Sequence, residues 1–169
     1  GITFYNSNVE VRNLILKNSK AEDAINFVRS NIFIKGLTIN NSISDGLDCD
    51  FCLGEIFDVS LNKIGGDGLD FSGSTIKTSL NEAYKVNDKV LSIGEGTNIE
   101  AQLKNIKDSY LAAAVKDGSK ANINLINVQT TGPKVMAYDK KGFFKEKTTA
   151  RVYMKNYKNK FKNDFKRSD

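Results

Sequence analysis

Residues 46–50 read Gly-Leu-Asp-Cys-Asp, and residues 68–72 read Gly-Leu-Asp-Phe-Ser. The two segments occupy equivalent positions of a 22-residue repeat, and apolar and polar side chains alternate in both. Two series of residues keep this interval along the chain: Ile25, Leu47, Leu69, Leu91, Ala113 and Val135, and Phe27, Cys49, Phe71, Ile93, Val115 and Ala137. A fixed interval of this length with period-2 alternation is typical of a stacked solenoid of β-strands.

The interval divides the sequence into coils at 1–23, 24–45, 46–67, 68–89, 90–111 and 112–133, with an irregular coil after them. One coil cannot bury its apolar face or pair its edge strands, whereas stacked coils do both, because each strand pairs in parallel with its equivalents. We therefore predict an all-β fold, a right-handed parallel β-helix of about six to seven coils with three short sheets.

One coil departs from the pattern. Asn81 stands where other coils carry an aliphatic residue, and Leu80 is one place away. This predicts a bulge or a register slip within residues 75–86. After it, Asn105 and Asn127 fall in the column of Leu61, and their 22-residue spacing predicts a stacked amide ladder.

Charge separates the chain into two parts. Residues 1–139 hold 14 Lys/Arg and 17 Asp/Glu, whereas residues 140–169 hold 11 Lys/Arg and 3 Asp/Glu. The net charge of +5 therefore comes from the C-terminal tail, and no nucleic-acid partner is expected for the acidic body. We predict β-helix coils over residues 1–142 and a basic C-terminal strand or cap segment over residues 143–169.

Within the cap segment, residues 148–154 alternate and predict a strand. Aromatic residues then recur every four positions at Tyr153, Tyr157, Phe161 and Phe165. We expect them to pack against the last coil and close the solenoid; the alternative is a basic tail that binds an anionic partner. No apolar stretch approaches the roughly 18 residues that a membrane span needs, so no transmembrane segment is predicted. We predict that the chain is one module of a longer protein that contains further domains.

The coil openings resemble a known family. The run Gly65-Gly66-Asp67-Gly68-Leu69-Asp70-Phe71-Ser72-Gly73-Ser74 is similar to coil openings of bacterial right-handed β-helix repeat proteins of the pectate-lyase-like superfamily, as are residues 88–96 and 114–119. The resemblance covers about residues 2–155. It implies the β-helix fold and an exported bacterial protein, located outside the cell or on its surface.

This superfamily includes lyases, epimerases and glycosidases as well as modules without known chemistry. The signature motifs of pectate lyases, polygalacturonases and alginate epimerases are not matched here, and the chain has no His. The sequence therefore favours a non-catalytic module that serves as a scaffold or a binding surface for polysaccharide or protein. The alternative is a carbohydrate-active enzyme, namely a polysaccharide lyase, an epimerase or a glycoside hydrolase.

The candidate site lies on the outward side of the coil-opening strands. Asp48, Asp50, Asp70, Ser92 and Lys116 are predicted to line a ligand-binding groove, with Asp48 stacked on Asp70 at the strand spacing of about 4.8 Å. Three interpretations remain open: an ordinary solvated face, a Ca²⁺ site at Asp48 and Asp70, or a catalytic pair assisted by Glu95. Retaining glycosidases place their two carboxyl groups about 5–5.5 Å apart. No cofactor other than Ca²⁺ is suggested.

Two columns of acidic residues and the pair of cysteines are explained by structure and need no functional role. The columns Asp23, Asp45, Asp67 and Glu95, Asp117, Asp139 fall at turns, where Asp bonds neighbouring backbone groups. Cys49 and Cys52 have redox-motif spacing, and two thiols could also be half of a zinc site. Since Cys49 lies in the inward column and no further Cys or His is present, the sequence favours buried core residues.

Overall fold

A computed structural model describes residues 1–156, and these residues form fourteen strands. All strand pairs are parallel, and each joins equivalent strands of successive coils. The fold is a parallel β-solenoid of about six turns. The described part of the chain has no helix that is long and apolar enough to cross a membrane.

Each coil contributes one short and one long strand to two seven-stranded sheets. The short-strand sheet contains β1 (Ile2–Tyr5), β3 (Asp23–Val28), β5 (Asp45–Asp50), β7 (Leu69–Ser72), β9 (Lys89–Gly94), β11 (Leu111–Lys116) and β13 (Val135–Tyr138). The long-strand sheet contains β2 (Asn8–Ser19), β4 (Asn31–Ser42), β6 (Leu53–Ile64), β8 (Thr75–Val86), β10 (Asn98–Ser109), β12 (Lys120–Thr130) and β14 (Thr149–Lys155).

The long strands explain why two sheets are present where three were predicted. Most long strands contain two residues with left-handed backbone conformation, which turn the strand without ending it. The first set is Asn13, Gly36, Asp58, Asn105 and Asn127, and the second is Asn18, Asn41, Lys63, Lys85 and Asp108. Strand pairing continues on both sides of these positions, so β2, β4 and β6 each run as one strand of 12 residues. The right-handed winding stays a prediction.

The predicted irregularity in residues 75–86 is confirmed. Val59 pairs with Leu80, whereas the next residue of β6, Ser60, pairs with Glu82, so the register shifts by one position between them. Leu80 thus supplies the aliphatic side chain, and Asn81 follows it in the bulged segment.

The predicted position of Asn105 was wrong. The column of Leu61 continues with Ala83 and Ile106. Asn105 instead occupies a bend of β10, with φ of 51° and an exposed side chain. The amide ladder itself is confirmed, since Asn127 Nδ2 donates to Asn105 Oδ1 over 3.3 Å.

The core is a single column of apolar side chains along the solenoid axis. All seven residues that were predicted to point inward are at most 2% exposed: Leu47, Leu69, Phe71, Leu91, Ile93, Leu103 and Leu125. Burying a side chain of this size stabilises the fold by roughly 1.5–3 kcal/mol.

A ladder of hydroxyl groups lies beside the core, where the short strands turn into the long ones. Ser30, Ser74 and Thr97 accept backbone N–H groups from the coil before, as in Cys52 N to Ser74 Oγ at 2.8 Å. Cys52 takes the place of a hydroxyl residue in this ladder and forms a disulfide with Cys49. Both cysteines are fully buried, as predicted, but their bond excludes the zinc-site alternative.

The two ends of the solenoid are less covered than its middle. At the N-terminal end, Phe4 is partly buried and stacks on Phe27 with ring centroids 5.2 Å apart. At the C-terminal end, β14 confirms the strand that was predicted over residues 148–154 and pairs with β12. Tyr153 is 63% exposed, so its predicted packing against the last coil was wrong. Tyr157, Phe161 and Phe165 lie outside the described residues.

Candidate functional site

The predicted groove residues lie together on the outer side of the short-strand sheet. We call this surface the short-strand face and define it by Asn26, Asp48, Asp50, Asp70, Ser72, Ser92 and Lys116. Asp48 on β5 is the register partner of Asp70 on β7, which is the partner of Ser92 on β9. Neighbouring parallel strands place such partners about 4.8 Å apart. The predicted stacking of Asp48 and Asp70 is therefore present.

Lys116 completes the row by reaching back across one coil. Its side chain passes over Gly94, where an added Cβ would lie 3.6 Å from Lys116 Cε. Its Nζ donates to Ser92 Oγ over 2.8 Å. Residues of successive strands thus form a connected polar row of carboxylates, a hydroxyl and an ammonium group.

Asp48 is the most strongly perturbed carboxyl group of this face. Burial, followed by repulsion from Asp50, Asp70 and Asp23, raises the pKa of Asp48 from 3.8 to about 7. At neutral pH Asp48 therefore holds a proton for part of the time. A bound cation would favour the ionised form and displace that proton.

Asp50 and Asp70 show the same tendency with different partners. Burial raises the pKa of Asp50, and Glu95 and Asp23 add repulsion that Lys141 opposes. Burial also raises the pKa of Asp70, although the charge of Lys116 and a hydrogen bond from Ser92 act against it. The ammonium group of Lys116 thus compensates the Asp70 end of the row more than the Asp48 end.

Asp23, Asp45 and Asp67 were predicted to cap backbone groups. Asp45 and Asp67 do so, whereas Asp23 Oδ2 accepts a hydrogen bond from Asn26 Nδ2 at 3.2 Å. Asp45 Oδ1 accepts the Asp67 N–H at 2.8 Å, and Asp67 Oδ1 accepts the Lys89 N–H at 3.0 Å. Lys89 Nζ also lies 3.0 Å from Asp67 Oδ1. Burial, with added repulsion from Asp67, Asp70 and Asp23, raises the pKa of Asp45 to about 6, although the Asp67 N–H bond opposes the shift.

Carboxylate oxygens of Asp45, Asp67 and Asp70 lie within 4.8 Å of one another. Hard cations such as Ca²⁺ take oxygen ligands of this kind. The ammonium group of Lys89 already neutralises Asp67, however, so this trio offers a divalent ion less charge than its three carboxylates suggest. The predicted Ca²⁺ pair, Asp48 and Asp70, shares only Asp70 with the trio.

Glu95 and Asp117 hold the segment that follows β13. Asp117 is buried, and one of its oxygens accepts the N–H groups of Lys140 and Lys141, each at 2.6 Å. The ammonium group of Lys141 pairs with Glu95, and Thr148 bonds Asp139. Glu95, a candidate catalytic residue, is thus engaged by a lysine of the chain itself.

An aromatic rim borders the face on its N-terminal side, and sequence reasoning missed it. We define the rim as Tyr5, Arg29 and Phe51. The guanidinium of Arg29 lies 6.0 Å from the Phe51 ring centroid and 3.5 Å from Tyr5 Oη. Phe51 is 54% exposed, and its ring lies so close to Gly73 that an added Cβ there would come within 2.6 Å. Both rim positions 29 and 51 fall on the 22-residue interval, which is the signal that could have revealed them.

A separate groove of about 300 Å³ lies on the long-strand sheet, between Phe57, Lys77 and Gln102. It contains none of the predicted site residues. Asp48 and Asp70 thus lie on an open sheet face and outside this cleft.

Comparison of the chain with models of protein families, with characterised proteins and with solved structures finds no match. The fold and the site define only a class of protein, a parallel β-solenoid with a carboxylate-rich face.

Proposed function

We propose that this chain is a non-catalytic β-solenoid module of an exported bacterial protein, and that its short-strand face binds polysaccharide. The single observation that carries the proposal is the row of half-buried carboxylates, Asp48, Asp50 and Asp70, beside the exposed aromatic rim. Aromatic rings present flat apolar surfaces, and carboxylates accept hydrogen bonds from hydroxyl groups. A scaffold role, or a protein ligand, would use the same surface.

The lengths of the turns support a binding module over an enzyme. Residues 51–52 alone separate β5 from β6, and residues 73–74 alone separate β7 from β8. An extended polymer can lie along such a face. The longest connection in the described part of the chain, residues 139–148, bonds Glu95 and Asp117 and makes no hydrogen bond to Asp48 or Asp70. Ligand and catalytic sites for small groups are usually concave and exclude water.

Location outside the cell is part of the proposal, and the Cys49–Cys52 disulfide supports it. Disulfides persist in oxidising compartments and are rare in the cytosol. The coil openings at residues 65–74 support membership of the pectate-lyase-like superfamily.

Affinity electrophoresis through gels that contain a neutral glucan, a uronate polymer or an amino-sugar polymer tests the binding function. We expect at least one polysaccharide to retard the chain, and Phe51→Ala to remove most of the retardation. Tyr84→Ala, which removes an exposed aromatic from the long-strand sheet, is the matched control. Unchanged mobility of the unsubstituted chain in all gels would contradict polysaccharide binding.

One observation favours the enzyme alternative. Asp48 has a pKa of about 7 beside a second carboxyl on the next strand, which is an arrangement that general acid catalysis uses. Release of reducing ends or unsaturated sugars from the same polymers, abolished in Asp48→Asn and Asp70→Asn, would replace the binding proposal with catalysis.

A further inference from the structure

We propose that the part of the short-strand face formed by Asp48 and Asp50 beside Phe51 binds polysaccharides that carry free primary amines. The ligand class is thus an amino-sugar polymer that is not fully acetylated. This inference rests on the proposed binding function and names the substrate class for the same face.

The C-terminal part of the molecule shows which group fits these carboxylates. Lys89 Nζ lies 3.0 Å from Asp67, and Lys141 Nζ pairs with Glu95. Lys116 Nζ donates to Ser92 Oγ at 2.8 Å, where its charge acts on Asp70. In each case a lysine of a later coil places a primary ammonium group near an acidic side chain of an earlier coil.

The N-terminal part repeats the carboxylates without the ammonium groups. Among residues 1–156, no Lys or Arg nitrogen lies within 4.0 Å of a carboxylate oxygen of Asp48 or Asp50. Arg29 is the cation of the neighbouring turn, and its guanidinium is directed at Phe51 and Tyr5. The chain therefore leaves both carboxylates without a direct ion pair, and only Asp50 is influenced by the more distant charge of Lys141.

Hydrogen-bond acceptors also exceed donors on this part of the face. Asn26 Oδ1 and Asp70 Oδ1 are buried atoms without a hydrogen-bond partner among the described residues, and they flank Asp48 in the same outward column. An ammonium group brings three donors and no acceptor. Because these two oxygens are buried, a ligand with primary amines would donate to the half-buried carboxylates of Asp48 and Asp50, whereas a uronate polymer would add further negative charge.

The aromatic rim favours a sugar as the carrier of the amines. Phe51 directly follows Asp50 in the sequence and is 54% exposed, and Tyr5 is 62% exposed. An aromatic ring next to a carboxylate can stack on the apolar side of a sugar ring while the carboxylate receives the amine. The raised pKa of Asp48 adds a measurable consequence, because an ammonium ligand displaces the proton of this carboxyl.

Titration calorimetry of the full chain with a glucosamine oligomer and with an N-acetylglucosamine oligomer of equal length tests the inference. We expect the free amine to bind about tenfold more tightly, since two or three partly exposed ion pairs contribute about this much. Measured in buffers of different ionisation enthalpy, binding of the glucosamine oligomer should also show a change in protonation.

The double variant Asp48→Asn/Asp50→Asn should lose the preference for the amine while it keeps its melting temperature or gains a few degrees. The matched control Glu82→Gln/Glu100→Gln removes two exposed carboxylates from β8 and β10 and should keep the preference. Equal affinity for the two oligomers, or a preference that survives in the double variant, would overturn the inference and leave the proposed binding function standing.

Two other outcomes identify different failures. If neither oligomer binds and no neutral glucan or uronate polymer binds, the proposed function fails and this inference fails with it. If an oligolysine peptide binds as tightly as the glucosamine oligomer and competes with it, the face recognises cationic chains in general, and the assignment to amino sugars is wrong.

Discussion

At the scale of single residues, Asp48 shows how a repeating fold concentrates charge. Strand pairing places equivalent residues of successive coils next to one another, so two aspartates at one repeat position become neighbours. The carboxyl of Asp48 is partly buried and meets three other acidic groups, which raises its pKa to about 7. The folded state therefore prefers the protonated form of Asp48, whereas the unfolded chain titrates near 3.8.

The stability of the protein should consequently fall as the pH rises. Between the unfolded value of 3.8 and the folded value of about 7, the folded state binds more protons, so this contribution is complete below the lower value and is lost through the upper one. We expect Asp48→Asn to raise the free energy of unfolding by about 1–2 kcal/mol at about pH 8, after discounting for solvent screening, and to change little at about pH 4.

Urea denaturation at both pH values measures this effect. Asp108→Asn, at an exposed bend of β10, is the matched control and should have a small effect at either pH. An equal effect of Asp48→Asn at the two pH values would show that the charge of Asp48 is not destabilising.

At the scale of the elements, the hydroxyl ladder joins each short strand to the long strand that follows. Ser74 Oγ accepts the Cys52 N–H at 2.8 Å and lies 3.1 Å from the Cys49 carbonyl oxygen, so one side chain ties two coils together. Thr97 takes the same role for Ser74 in the next coil. The ladder thus satisfies backbone groups that the turns leave without strand partners.

Loss of this hydroxyl should be costly. We expect Ser74→Ala to destabilise the protein by about 1–3 kcal/mol, because it leaves the buried Cys52 N–H without an acceptor. Ser74→Thr should retain most of the stability, since Thr97 fills the equivalent position. Thermal melting of the two variants provides the comparison, and equal losses for both would mean that steric fit matters more than the hydrogen bond.

The elements also show what the sequence could predict. The 22-residue interval gives the register, the inward columns and the stacking of Asp48 on Asp70, because each of these follows from the repeat alone. The turn before β10 has three residues, whereas the turns before β6 and β8 have two, so β8 and β10 pair at an interval of 23 residues, as in Thr75 with Asn98. The 22-residue interval therefore misplaced Asn105. The aromatic rim was missed because Phe51 lies in the turn between β5 and β6, where the alternation of inward and outward residues ends.

At the scale of the whole molecule, the C-terminal end of the solenoid has a strand edge that must be covered to prevent association with other chains. β14 covers the edge of β12, and its own Val152 and Met154 are 37% and 62% exposed. We expect deletion of residues 149–169 to uncover a parallel edge together with apolar side chains, and to give aggregation in size-exclusion chromatography.

Truncation after Asn156 separates the contribution of β14 from that of the basic tail, because it keeps the whole strand. A soluble monomer with an unchanged melting temperature after deletion of residues 149–169 would contradict the capping role of this region. The aromatic and basic residues would then be better explained as a binding tail.

The uniform strand register has a consequence for how the molecule folds. Nearly every strand pair joins segments that are one coil apart in the sequence, as in Ile2 with Ile25, Leu47 with Leu69 and Leu80 with Leu103. The entropic cost of closing the loop is therefore similar for every coil, and no folding step requires the two termini to meet. Folding can start at any coil that forms a stable pair and then extend coil by coil in both directions. The middle coils, which have neighbours on both sides, should be the last to open, and fraying should proceed inward from the two ends.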